Sequence, residues 1–189
     1  MNYAIGIHSL DDVPWRTIRF ISFFTILSNM LVLTASLGIA MGSGRLHAWA
    51  NKPGTRGAIT VYILVVAIIF HLLLSHMVHP SPLGHWGNRL AHQFVPFLWV
   101  ACWLGFAPHG GIDGRAPIRW LGYPGAFGGW TLIHGAESQW YPYPFLNVIH
   151  LGWIFTLRNM ALIALFFVAL GYLIRWIDGR LARWRPTRG

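Results

Sequence analysis

Five stretches of this 189-residue chain carry no Asp, Glu, Lys or Arg: 20–44, 57–88, 90–112, 120–136 and 159–174. A bilayer core takes ~20 apolar residues per helix. Lipid leaves no water to satisfy a backbone, so such segments cross as hydrogen-bonded helices. The expected fold is all-α, a polytopic membrane helix bundle of about five transmembrane helices. Spans are predicted near 18–42, 57–79, 90–107, 119–136 and 155–175, with a basic tail at 176–189. Five helices use most of the chain, so residues 1–189 form a single domain with no separate soluble part.

In such a chain the 14 basic and 5 acidic side chains report orientation. The net charge of +9 does not indicate nucleic acid, because the cations occupy short loops and a tail and make no folded basic face. Arg45, Lys52 and Arg56 lie in the first loop and Arg115 and Arg119 in the third. The tail adds Arg175, Arg180, Arg183, Arg185 and Arg188. In a five-span arrangement these all fall on one side, which predicts a cytoplasmic C-terminus and an exterior N-terminus. Trp15, Trp49, Trp86, Trp120, Trp140 and Trp176 sit near span ends, as interfacial anchors do. Cys102 is the single cysteine, so no internal disulfide forms. Residues 1–15 hold Asp11 and Asp12 and lack the basic start and apolar run of a cleavable signal.

Polar residues inside hydrocarbon are costly and need partners. At ~1.5 Å per residue, Thr25 lies roughly 9 Å past Arg19, and His71 and His134 each lie roughly 22 Å past Arg56 and Arg119. His92 follows Arg89 by three positions, and Arg158 and Asn159 open the fifth span. All fall in one outer layer. Ser22, Thr25, Asn29 and Ser36 make one stripe, and His71, Ser75 and His79 another. The stripes predict a polar chamber in the outer half of the bundle. A membrane Thr more commonly bonds the carbonyl four residues back, a lone His often only bridges two helices, and an Arg near a span end snorkels to the headgroups. Pro96 frees the carbonyl of His92, and Gly125 with Gly129 predicts a close helix approach.

Three segments, "FFTILSNMLV" (23–32), "AHQFVPFLW" (91–99) and "WYPYPFLN" (140–147), together resemble the androgen-induced integral membrane protein family and its bacterial relatives. Members of that family hydrolyse fatty acid esters of hydroxy fatty acids with a membrane-embedded Thr and His. The resemblance runs from about Trp15 to the last span. It implies Thr25 as nucleophile and His92 as base, and it matches Tyr143, Pro144 and Phe145 to the family's "YPF" segment. It departs from the eukaryotic members in lacking their extra N-terminal helix and in a shorter His-to-Pro gap. The bacterial relatives also carry the "SN" found here at Ser28 and Asn29, and they imply a bacterial inner membrane.

The expected chemistry is attack of Thr25 on a lipid ester while His92 takes its proton. Asn29, His71, His134, Arg158 and Tyr143 are the candidate substrate or oxyanion contacts. No carboxylate lies deep enough to orient His92; Glu137 is near the boundary, which leaves a Thr–His pair assisted by Glu137 or by a carbonyl. The expected partners are membrane lipids or fatty-acyl esters, with no nucleic acid, no cofactor and no metal. A second reading is a small accessory subunit among partner membrane subunits. A third is a haem or redox protein ligated through His71 and His134. His76, His79 and His85, interrupted by Pro80 and Pro82, fit no zinc spacing.

Overall fold

The computed structural model describes residues 12–77 and 81–184. Asp11, His79, Pro80, Arg185 and Arg188 lie outside the described residues. Every regular element among the described residues is helical. The order is α1 (Asp12–Ile21), α2 (Phe24–Ala40), α3 (Gly44–Ala50) and α4 (Pro53–Ile69), then α5 (Pro82–Arg89) and α6 (Val95–Phe106). It closes with α7 (Ala116–Arg119), α8 (Gly122–Ser138) and α9 (Val148–Trp184).

Among the described residues two helices are long and apolar enough to cross a membrane alone: Pro53–Met77 and Val148–Trp184. A third candidate is bent. The first predicted span divides into α1 and α2, whose axes meet at 76°. Ser22 marks the bend; its hydroxyl donates to the Ile18 carbonyl at 2.7 Å and accepts the Trp130 indole N–H at 3.1 Å. The other two predicted spans are 90–107, which lies in a longer helical run from Pro82 with polar residues at its start, and 119–136, which becomes the 17-residue α8. The last span extends well past its predicted ends and breaks its helical dihedrals at Gly152 (φ 74°).

Two helices widen into π turns, Phe70–Leu74 after α4 and Leu90–Phe94 between α5 and α6. The second has a local cause. Pro96 cannot donate to the His92 carbonyl, and its ring crowds that carbonyl. The wider turn, with Val95 N–H bonded to the Leu90 carbonyl, relieves the crowding one turn earlier.

The core is aromatic. Phe24 packs on Tyr123 and Phe127, each at 5.2 Å between ring centres, and Tyr62 lies 4.7 Å from Tyr123. Edge and tilted contacts of this kind add to area burial. Two of the buried hydroxyls are tied down: Tyr62 donates to the Trp120 carbonyl at 2.8 Å, and Thr60 accepts the Trp99 N–H at 3.1 Å. Large apolar side chains such as Leu72, Phe97, Ile133, Ile154 and Leu165 point outward and are mostly exposed. A water-soluble domain rarely leaves so much apolar surface bare, and a lipid-facing surface requires it.

The glycines of α8 act differently from expectation. Gly125 and Gly129 have open space where a Cβ would stand. Close approach falls instead at Gly128, against Met160, and at Gly135, where the Tyr141 ring occupies the side-chain position. At the far end of α9, buried Asp178 accepts from His109 Nδ1 at 3.1 Å and from the Gly110 N–H at 2.9 Å. It thereby ties the loop before α7 to the last helix. The sequence offered no sign of this pairing beyond a lone acid in an arginine-rich segment.

Candidate active site

Thr25 is the second residue of α2. Ser22, Thr60, Ser75, Ser138 and Thr156 all donate to the carbonyl four residues earlier. For Thr25 that carbonyl belongs to Ile21, beyond the bend, and the hydroxyl turns elsewhere. Thr25 Oγ1 lies 3.2 Å from His92 Nε2, across 67 positions of sequence. His92 sits in the π turn, and its ring stacks on Phe70 at 3.8 Å between centres.

The tautomer follows from the second ring nitrogen. His92 Nδ1 lies 2.9 Å from the Asn88 carbonyl, which can only accept, so Nδ1 carries the hydrogen. Nε2 therefore presents a lone pair, and the Thr25 O–H donates to it. This is the relation a hydroxyl nucleophile and its base require. The group that orients His92 is a main-chain carbonyl. Glu137 is exposed and makes no part of it.

Asn29 holds the two helices in register. Its side-chain amide donates to the Thr25 carbonyl at 2.8 Å and to the Ala91 carbonyl at 3.2 Å. Both of its N–H groups are thus committed, and Asn29 acts as a tie between α2 and the π turn, with no donor left for an oxyanion.

Tyr143, between α8 and α9, is buried. Its hydroxyl faces the Thr25 hydroxyl and the first amides of α2, those of Phe24 and Thr25. Burial pushes its phenol up to about 12, partly opposed by those hydrogen-bonding groups, so it stays a neutral donor. The first amides of a helix have no partner within it, and those of Phe24 and Thr25 lie within reach of the Tyr143 hydroxyl.

Thr25 and Tyr143 share the wall of a cavity of about 420 Å³ whose other walls are apolar, from Phe24, Phe70, Phe127 and Phe167 among others. Gly125 and Ala161, both exposed, place its mouth between α8 and α9. The shape suits an apolar chain entering sideways with one polar group brought to Thr25.

The remaining candidates lie apart. His71 is exposed on the other π turn, with Nδ1 2.7 Å from the Ala67 carbonyl and Nε2 3.3 Å from the Gln93 amide. It neighbours His92 without touching Thr25. His134 is buried among Trp15, Trp130 and Trp140, one layer away behind Phe23. The contacts given for His71 and for His134 share no residue. Arg158 is exposed and lies over the Phe155 ring at 5.0 Å, away from the cavity. No group of three or more His, Cys, Asp or Glu able to hold a metal occurs among the described residues. Comparison of the chain with protein-family models, with curated proteins and with solved structures finds no match.

Proposed function

We propose that this protein is a membrane-embedded lipid-ester hydrolase with Thr25 as nucleophile and His92 as base. One observation carries the reading: the 3.2 Å approach of Thr25 Oγ1 to a lone-pair-bearing His92 Nε2 at the wall of an apolar cavity. The likeness of the "FFT", "AHQFVPF" and "YPYPF" segments to the androgen-induced integral membrane protein family supports the same assignment.

In the proposed reaction Thr25 Oγ1 attacks the ester carbonyl carbon and its proton passes to His92 Nε2. The carbonyl oxygen becomes an oxyanion, which the Tyr143 O–H and the first amides of α2 stabilise. The tetrahedral species collapses, the alkoxide leaves, and it takes the proton from Nε2. Water then attacks the acyl-threonine with His92 again as base, which releases a carboxylic acid and restores Thr25. The Asn88 carbonyl holds the imidazole through both halves of the cycle.

We place the site beneath the non-cytoplasmic surface of a bacterial inner membrane. The support is the arginine and lysine bias of the loops and tail; the reading assigns five passes to α2, Pro53–Met77, the run from α5 through α6, α8 and α9, of which Pro53–Met77 and Val148–Trp184 are long and apolar enough to cross alone. The test is hydrolysis of a long-chain acyl ester by the purified protein. Turnover that is lost in both Thr25→Ala and His92→Ala supports the proposal. Turnover that survives in Thr25→Ala removes the nucleophile from the scheme.

A further inference from the structure

A second apolar groove, of about 460 Å³, lies between α2 and α6. It begins one turn past the Asn29 tie, at Val32 and Val95, and continues along Ser36, Trp99 and Trp103 to Phe106. It shares none of its walls with the Thr25 cavity. Arg56, from the first turns of α4, forms part of it and is only 8% exposed.

The surroundings of Arg56 lack a countercharge. Its Nε donates to the Ala50 carbonyl at 3.1 Å and its Nη2 to the Asn51 side chain. Among the described residues the ion pairs are His109 with Asp178 and Arg119 with Asp113, and no carboxylate meets Arg56. The end of α3 offers at most about half an elementary charge. A buried guanidinium holds five donors and strongly favours a full anion beside it. Ser36, Leu98, Cys102 and Phe106 are exposed on the groove's open side, where lipid would lie. Arg45 and Lys52 stand at the same end of the bundle and draw anionic headgroups to it.

We propose that this groove is a binding site for an anionic glycerophospholipid, with its phosphate on Arg56 and an acyl chain along the seam of α2 and α6. Arginine pairs with phosphate through two parallel N–H···O bonds, which suits a guanidinium that lines the groove with donors still uncommitted. The site stands independently of the hydrolase reading, because it uses neither Thr25 nor His92.

Cys102 lines the groove and is the only cysteine of the chain, so its alkylation reports occupancy. Full-length protein is stripped of lipid in neutral detergent and treated with a maleimide. Phosphatidylglycerol, phosphatidylcholine with the same chains, or palmitate is added in separate arms. Phosphatidylglycerol is expected to slow the labelling more strongly than phosphatidylcholine, whose choline cation opposes Arg45 and Lys52. Arg56→Gln should weaken the protection by about 10-fold or more in lipid concentration. No protection by phosphatidylglycerol, equal protection by phosphatidylcholine, or protection by palmitate alone overturns the proposal. If Arg56→Gln does not fold, the wild-type contrast between the two phospholipids decides the matter.

Discussion

A hydroxyl in a membrane helix usually spends its hydrogen on its own helix, and five of its neighbours in this chain do so. Thr25 is placed where that outlet is missing, and its hydrogen goes to His92. Substitutions at the site should give graded losses. His92→Gln should lower kcat by ~10²–10⁴, the usual worth of a positioned base. Tyr143→Phe should lower kcat by roughly 10²-fold with little change in KM, as for loss of one oxyanion donor. Steady-state kinetics on one ester checks both, and a change confined to KM would assign Tyr143 to substrate binding alone. Thr25 and His92 were legible in the sequence from their depth and from the resemblance. The Asn88 carbonyl was not, because a backbone acceptor has no residue signature. Asn29 looked like an oxyanion donor for the same reason: its two carbonyl partners are invisible in a string of letters.

The elements explain why the pair meets. The bend between α1 and α2 interrupts the helix just before Thr25, and the π turn before Pro96 carries His92. The Asn29 tie then fixes the two against each other. Asn29→Leu leaves the Thr25 and Ala91 carbonyls without that partner, which should cost ~1–3 kcal/mol of stability and lower activity together. Thermal unfolding in detergent measures the first. The glycines of α8 give a paired test. Gly135→Ala meets the Tyr141 ring and should cost ~1–3 kcal/mol. Gly129→Ala has open space and should be neutral or stabilising by up to ~1 kcal/mol. Equal effects of the two would mean that Tyr141 does not pack as described. The spacing of Gly125 and Gly129 suggested the wrong pair because small-residue spacing marks where an approach is permitted, while the partner helix decides where it occurs. The bend at Ser22 was equally hidden, because the contact that marks it comes from Trp130, 108 positions away.

For the whole molecule, the charge-free runs were enough to give an all-helical, outwardly apolar chain, since period and length alone carry that information. They overstated the regularity of the spans. Among the described residues two helices, or three with the bent pair, pass as membrane-crossing by length and composition. The run containing His92 loses apolar character because it houses the polar groups of the candidate site, which is where local pattern and global fold are expected to disagree. The proposed orientation predicts that a fluorescent protein fused after Trp184 glows in cells, while a periplasm-dependent phosphatase at the same point stays inactive. The reverse pattern would invert the bundle. The most direct test of the central claim is covalent. A fluorophosphonate probe is incubated with the purified protein and the modified residue is located by mass spectrometry. The account predicts modification at Thr25, absent in Thr25→Ala and strongly slowed in His92→Ala. Modification at another residue, or unchanged labelling in Thr25→Ala, would contradict it.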